Sequence, residues 1–93
     1  MAKALETLKR TFPDVINKQT LLLIVSDAQT LEGEKAAALL QGISRQVRQV
    51  LWLNTLPERR WSETPYVKLF LPSCLMYECY TLAHLTQILS KQF

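Results

Sequence analysis

The sequence predicts an α/β fold, a small Rossmann-like three-layer sandwich with about three mainly parallel strands. Two observations lead to this prediction. Segments whose apolar residues recur at helical spacing alternate with apolar runs that are short enough to be strands. The first two of these runs are joined by a helical segment, so their strands are expected to lie parallel with a right-handed crossover. The 93 residues are expected to form a single domain over residues 1–93.

The predicted order of elements is α-β-α-β-β-α. Leu5 and Leu8 lie on the apolar face of a first helix over residues 2–12, and Pro13 ends it. Residues 20–26 are an almost unbroken apolar run, which is typical of a strand buried on both faces of a parallel sheet. This strand is expected at one of the two open edges that a three-stranded sheet leaves.

The middle of the chain predicts the crossover and the second strand. A helix is expected over residues 31–48, with Thr30 as its N-cap and an apolar residue at every fourth position of one face. Residues 49–53 form a second buried strand, which ends at Asn54. Residues 55–66 contain two prolines and are expected to form a long loop.

The last third of the chain predicts one strand and one helix. Residues 67–71 are expected to form a short third strand, in which the charge of Lys68 marks a sheet edge. Pro72 ends that strand. Thr81 is expected to cap a final helix over residues 82–91.

Composition and apolar patterning indicate a globular chain in the cytoplasm. Apolar residues make up 48% of the chain and charged residues 20%, which is typical of a globular domain. No apolar run approaches the roughly 20 residues of a membrane-spanning helix. Residues 1–11 lack the apolar core of a signal peptide. We therefore expect a cytoplasmic location without membrane contact.

Glycine content and net charge exclude or disfavour several ligand classes. With only Gly33 and Gly42, the chain can form neither a Walker A loop nor a Gly-x-Gly-x-x-Gly loop, so nucleotide binding through these loops is excluded. Eleven Lys and Arg residues stand against eight Asp and Glu residues, a net charge of +3. This charge alone is too weak to indicate nucleic acid or anionic lipid as a partner.

Two short motifs carry a resemblance to a known family. Residues 23–27 read Leu-Ile-Val-Ser-Asp, and residues 50–54 read Val-Leu-Trp-Leu-Asn. Pro57 and the segment 71–82 add to the match. In this order and spacing the motifs resemble the C-terminal half of a von Willebrand factor A domain of the CoxE-like family, so the predicted sandwich is a partial domain of that fold.

The resemblance implies a module for protein–protein contact that is not an enzyme. Complete members act in assembly beside a MoxR-type AAA+ ATPase. They often hold Mg²⁺ through an Asp-x-Ser-x-Ser loop, a threonine and the aspartate after the fourth strand. Of these, only the aspartate has a counterpart, Asp27, because the sequence contains no Asp-x-Ser-x-Ser. The family's Ser-Asp-Gly and Trp-Leu-Asn-Pro also end differently here, in Ala28 and Thr55. We therefore expect an incomplete metal site and no cofactor.

Six residues are candidates for partner contact. Open α/β sheets bind ligands at the carboxyl ends of their strands, where we expect Asp27, Asn54 and Ser73. Arginine and tryptophan are favoured anchors in interfaces, and the long loop supplies Arg59, Arg60 and Trp61. The edge of strand 20–26 is expected to pair with a protein partner, with the rest of such a domain or with a second copy. The structural alternatives are a turn for Asp27 and Asn54 and core packing for Trp61.

Two further functions use the same residue types. Arg59, Arg60 and Trp61 together can stack on single-stranded nucleic acid, so a small nucleic-acid-binding domain is the alternative function. Ser26, Asp27 and His84 have the residue types of a hydrolase triad, but the Gly-x-Ser-x-Gly turn that exposes such a serine is missing.

Cysteine spacing gives a weak indication of zinc. Cys74 and Cys79, with His84 nearby in the sequence, supply three of the four ligands that a structural zinc site needs. A second cysteine pair is missing from the sequence. We therefore expect two reduced, partly buried thiols.

Overall fold

A computed structural model of the chain describes residues 1–92. It contains one open three-stranded sheet in the order β1-β2-β3, with helices between and after the strands. In chain order the helices and strands are α1 (Ala2–Thr11), β1 (Leu21–Val25), α2 (Gly33–Ser44), β2 (Gln49–Asn54), α3 (Val67–Phe70), β3 (Leu75–Glu78) and α4 (Leu82–Gln92).

All strands in the sheet run parallel. Val25 of β1 lies opposite Leu53 of β2, and Asn54 of β2 lies opposite Glu78 of β3. The carboxyl ends of the three strands therefore meet at one edge of the sheet. The predicted α/β class, the parallel pairing of the first two strands and the edge position of β1 are confirmed.

The sheet lies between two helical layers. On one face, the three helices α1, α2 and α3 pack over the sheet in one core that includes Leu40, Trp52 and Phe70. The rings of Trp52 and Phe70 lie 4.7 Å apart between centroids. On the other face, Ile88 of α4 packs with Leu51 and Leu53 of β2. This is a small three-layer sandwich, as predicted.

The second face of β1 is open to solvent. Leu23 is 50% exposed and Val25 63% exposed, because α4 packs over β2, the central strand of the sheet. The prediction that strand 20–26 is buried on both faces is therefore wrong. A run of apolar residues carries no information on which face a helix covers.

The prediction of a strand over residues 67–71 is also wrong. These residues form α3 and the start of a 3-10 helix, Leu71–Ser73. Val67 and Phe70 are buried at a spacing of three, which puts both on one face of a helix turn. Lys68 is exposed on that helix and marks no sheet edge. The third strand is β3, which begins at Leu75, four residues after the end of the predicted strand.

Helix boundaries follow the sequence patterns with local differences. The predicted helix over 31–48 is shorter at both ends as α2, and no side-chain hydrogen bond caps it, so the expected cap by Thr30 is wrong. The expected cap by Thr81 is confirmed, because its hydroxyl oxygen accepts the backbone N–H of His84 at 3.1 Å. Among the helices within residues 1–92, none combines the length and the apolar character needed to cross a membrane.

Candidate functional site

The carboxyl end of β1 continues into a tight turn. The Ser26 hydroxyl oxygen accepts the backbone N–H of Ala28 at 3.1 Å, and a carboxylate oxygen of Asp27 accepts the N–H of Gln29 at 3.0 Å. Ala28 is fully buried with φ 67°, a left-handed conformation that favours glycine. Asp27 thus stabilises a turn of the kind for which short polar side chains are preferred.

Asn54 lies in the interior at the end of β2. It is 0% exposed. Its side-chain oxygen accepts the N–H of Leu56 at 2.8 Å, its amide nitrogen contacts the sulfur of Met76 at 3.5 Å, and its carbonyl accepts the N–H of Cys79 at 2.7 Å. The side chain holds the end of the strand together and is enclosed by its own domain.

Ser73 lies away from this edge of the sheet. It ends the 3-10 helix before β3, at the amino end of that strand. It lines a surface depression together with Glu34, Gln41 and Leu69. The expectation that Ser73 shares the strand-end crevice with Asp27 is wrong, because it depended on a strand over residues 67–71.

The oxygen atoms at the ends of β1 and β2 already accept hydrogen bonds from the backbone. Mg²⁺ needs oxygen ligands in near-octahedral geometry, and in proteins these usually include one or two carboxylates. Here the single carboxylate at the end of β1, Asp27, and the neutral oxygens of Ser26 and Asn54 each accept a backbone N–H. Within residues 1–92, no group of three or more His, Cys, Asp or Glu side chains could hold a metal ion.

The loop over residues 55–66 contains a 3-10 helix, Glu58–Glu63. Trp61 is partly buried against the core, and its indole N–H donates to the carbonyl of Leu56 at 2.9 Å. Arg60 pairs with Glu63 at 3.2 Å. Of the three residues expected on this loop as anchors, Arg59 is exposed, whereas the polar groups of the other two are engaged within the loop.

A groove of ≈ 390 Å³ lies between this 3-10 helix and α4. Sequence reasoning missed it, because it forms only when the loop meets α4 over β3. Glu58 and Glu78 lie on its rim, where the Glu78 carboxylate accepts the backbone N–H of Glu58 at 2.9 Å. Ile88, Met76 and Trp61 give it an apolar lining.

His84 also lines this groove and lies apart from the other residues of the predicted triad. Its Nδ1 accepts the backbone N–H of Tyr80 at 3.3 Å. Ser26 and Asp27 follow β1, and β2 separates that strand from β3, roughly 10 Å away at ordinary strand spacing. The triad residues therefore do not converge.

The two cysteines lie at opposite ends of β3. Both are free thiols; Cys74 packs into the core beneath α2 and α3, and Cys79 into the core beneath α4. Five residues of extended chain separate their Cα atoms by about 16 Å, so they cannot ligate one zinc ion. The Cys74 thiol donates to the carbonyl of Phe70 at 3.2 Å, and burial raises its pKa to about 11.

The free edge of β1 is the remaining candidate surface. The N–H of Ser26 donates to Leu53 at 3.2 Å, and the carbonyl of Thr20 accepts from Arg48 at 2.9 Å. Backbone groups alternate in direction along a strand, so the even-numbered residues of this segment point toward β2. The odd-numbered residues direct their N–H and C=O groups to the open side: Leu21, Leu23 and Val25. We call these three residues the β1 edge surface.

The comparisons with known proteins identify one family. The family described as VWA domain containing CoxE-like protein matches residues 1–85. No curated protein and no solved structure matches the chain significantly.

Proposed function

Because the chain belongs to the family of CoxE-like proteins with a von Willebrand factor A domain, we propose that it is a non-catalytic protein-interaction and assembly module. The observation that carries the proposal is the β1 edge surface. Its backbone groups point away from β2, and Leu23 and Val25 are at least half exposed. Exposed edges without charged or proline residues are templates for pairing with another polypeptide.

The proposed partner is a polypeptide that adds a strand to this edge. A MoxR-type AAA+ ATPase is the first candidate, since the resemblance to the family implies assembly beside such ATPases. The second is the rest of a von Willebrand factor A domain. If the chain corresponds to the C-terminal half of that domain, β1 is the edge at which the remaining strands join the sheet. A cytoplasmic location belongs to the same proposal.

The contact is proposed to be independent of a bound metal ion. The Ser26 hydroxyl, one carboxylate oxygen of Asp27 and the side-chain oxygen of Asn54 each accept a backbone N–H. Displacing these bonds would weaken the turn after β1 and the end of β2, at a cost of about 1–3 kcal/mol for the buried side chain of Asn54. An intact turn at Asp27 supports a structural role for this carboxylate.

The loop over residues 55–66 is proposed as a secondary contact. Arg59 is exposed on this loop. The groove between the loop and α4 lies beside β3, and β2 separates it from the β1 edge surface, so the loop is a separate contact from the strand edge. Arg60 is paired with Glu63 and the Trp61 indole is partly buried. These contacts reduce the basic and aromatic surface that binding to single-stranded nucleic acid would need. They therefore favour a protein partner over the alternative function.

The test is binding of the chain to a purified MoxR-type AAA+ ATPase encoded in the same genome, followed by fluorescence anisotropy. Val25→Lys adds a charge to the exposed edge, and Ala38→Lys adds the same charge to an exposed position of α2. We expect saturable binding of the wild-type chain, a loss of about tenfold or more in affinity for Val25→Lys, and an unchanged affinity for Ala38→Lys. A wild-type chain that does not bind, or two variants that behave alike, would contradict the proposal.

A further inference from the structure

The open edge of β1 is complementary to itself. The five residues Leu21–Val25 are all apolar, so no charge in the strand repels an identical strand. The hydrogen-bonding groups of Leu21, Leu23 and Val25 all point to the open side. Leu23 is the centre of this set. An antiparallel partner of the same sequence can therefore meet every outward residue with an outward residue of its own.

We propose that β1 pairs antiparallel with β1 of a second copy, around a twofold axis that passes through Leu23. This inference rests on the proposed function, because it names a second copy as an occupant of the same edge. In this register Leu23 lies opposite Leu23 of the second copy, and Leu21 lies opposite Val25. Each of these is a hydrogen-bonded pair, in which both residues exchange N–H and C=O groups. The two sheets become one continuous sheet.

Neighbouring registers use the edge less well. A shift of the axis to Leu22 or Ile24 pairs only two of the three outward residues of each strand with outward residues of the other. The third would then lie opposite residue 19 or residue 27, outside the strand. Because backbone hydrogen bonds carry the pairing, the axis at Leu23 is favoured.

Charges at the two ends of β1 support the antiparallel direction. Lys18 precedes the strand and Asp27 follows it. Both residues lie outside the strand, and an antiparallel pair with its axis at Leu23 brings the Asp27 end of one copy to the Lys18 end of the other, twice in the symmetric pair. A parallel pairing would instead place Asp27 beside Asp27. Opposite charges across a strand pair are favourable, and like charges directly opposite are destabilising.

Side-chain packing adds to the pairing on the open face. A twofold axis perpendicular to the sheet keeps Leu23 and Val25 of both copies on the same face. Leu23, which is 50% exposed, packs against its counterpart, and Val25 packs against Leu21. A five-residue strand buries less area than a standard interface of about 1,600 Å². We therefore expect a reversible dimer with a dissociation constant of about 10–100 μM.

The first test is sedimentation velocity of the full chain over concentrations from about 5 to 500 μM, which bracket the expected dissociation constant. We expect the wild-type chain to pass from one-chain to two-chain mass across this range. Leu23→Lys places two like charges at the axis and is expected to weaken dimerisation at least tenfold. The matched control is Leu75→Lys at the opposite edge of the sheet, where the leucine is 46% exposed; this variant is expected to dimerise like the wild type.

The second test fixes the register by disulfide formation under mild oxidation. In the proposed pairing, Leu23→Cys places two thiols on one hydrogen-bonded pair with Cα atoms about 5.5 Å apart, a separation that a disulfide bridges. Val25→Cys is on the same face and at least as exposed, but its Cα atoms lie more than about 10 Å apart in the pair. We expect a covalent dimer from Leu23→Cys and none from Val25→Cys or from the wild-type chain with its native cysteines.

The outcomes separate this inference from the proposed function. A wild-type chain that stays monomeric across the range, or equal crosslinking of Leu23→Cys and Val25→Cys, overturns the homodimer. If Leu75→Lys abolishes the dimer and Leu23→Lys does not, the dimer contact is at β3, and the proposed β1 pairing is also overturned. If the homodimer fails while Val25→Lys still abolishes binding to the ATPase, the interaction function stands. If both measurements fail, β1 is no interaction surface.

Discussion

The indole N–H of Trp52, in the centre of β2, donates to the carbonyl of Ser26 at a distance of 2.9 Å. Trp52 is fully buried, so this bond joins the core to the turn that carries Asp27. The turn is thereby fixed by a residue of the neighbouring strand as well as by its own side chains. Removing the bond leaves a carbonyl of the turn without its side-chain donor.

Replacing Trp52 by phenylalanine is expected to lower the free energy of unfolding by about 2–4 kcal/mol. The loss combines an unmet hydrogen bond with the space that the smaller ring leaves beside Phe70. Trp61→Phe removes the comparable bond to Leu56 in a partly exposed loop and is expected to cost about 1 kcal/mol or less. Urea unfolding followed by far-UV circular dichroism measures both, since it does not depend on tryptophan fluorescence. Equal costs for the two variants would contradict the anchoring role of Trp52.

The two glycines are expected to respond to alanine in opposite directions. A methyl group at Gly33, at the start of α2, would overlap Cγ of the Tyr66 ring. Gly33→Ala is therefore expected to destabilise the fold by about 1–3 kcal/mol through overpacking. Gly42 is in the body of α2, where the nearest atom to a new methyl group is Lys9 Nζ at 3.9 Å. Gly42→Ala is expected to stabilise the fold by up to about 1 kcal/mol, since alanine is the better helix former.

A double-mutant cycle identifies the cause of the Gly33 effect. Tyr66→Ala removes the ring, so Gly33→Ala is expected to cost little in that background. Thermal unfolding of the four chains gives the coupling. If the two substitutions are additive, contact with Tyr66 is not the reason that glycine is needed at this position.

Local periodicity was enough to predict the layered fold but not its third strand. Residues 20–26 and 49–53 are apolar runs bounded by polar residues, and both contain a strand at nearly these positions. Residues 67–71 have a similar composition, yet they form a helix turn because the helical layer buries Val67 and Phe70 at a spacing of three. The actual strand β3 has four residues, which is too few for a period to be recognised.

The candidate site was predictable where it depended on strand ends and not where it depended on tertiary packing. Ser26 and Asp27 follow β1 as expected, because a polar pair after an apolar run marks a turn. Burial of Asn54 depends on hydrogen bonds to neighbouring segments, which no local pattern reveals. The exposed face of β1 follows from the position of α4 over β2, and the groove near His84 from the meeting of a loop with that helix.

The thiol of Cys74 is expected to react slowly with disulfide reagents. Its pKa is raised to about 11 by burial, so at pH 8 only about one molecule in a thousand carries the thiolate. Part of this deficit is offset by the higher nucleophilicity of a more basic thiolate. The Cys79→Ser variant leaves only Cys74, and its reaction with Ellman's reagent at pH 8 is expected to be about tenfold slower than that of a free cysteine in a peptide.

Unfolding provides the control for Cys74. In denaturant its pKa returns to the ordinary range, and its reaction rate is expected to rise to that of the peptide. Because the folded state raises the pKa, folding disfavours the thiolate. The free energy of unfolding therefore falls as the pH rises above the unfolded pKa toward about 11. Rapid reaction of the folded Cys79→Ser chain at pH 8 would show that the thiol is accessible and not raised in pKa.

An ion pair between α1 and α2 gives a prediction for acid pH. Lys35 Nζ lies 2.6 Å from a carboxylate oxygen of Glu6. The hydrogen bond and the charge of Lys35 lower the pKa of Glu6, and Glu6 in turn raises the pKa of Lys35. A lowered carboxyl pKa in the folded state contributes stability above the unfolded pKa, and this stability is lost as the pH falls through the folded pKa.

We expect Lys35→Gln to return the pKa of Glu6 toward its ordinary value, measured by NMR titration of the Glu6 carboxyl carbon. Lys9→Gln removes the same charge from α1, but no ion pair joins Lys9 to Glu6 in the described residues, and it is expected to leave the titration nearly unchanged. An unaltered Glu6 titration in Lys35→Gln would show that the two side chains do not pair in solution, and α1 would then be held to α2 by apolar contacts such as that of Leu5 with the core.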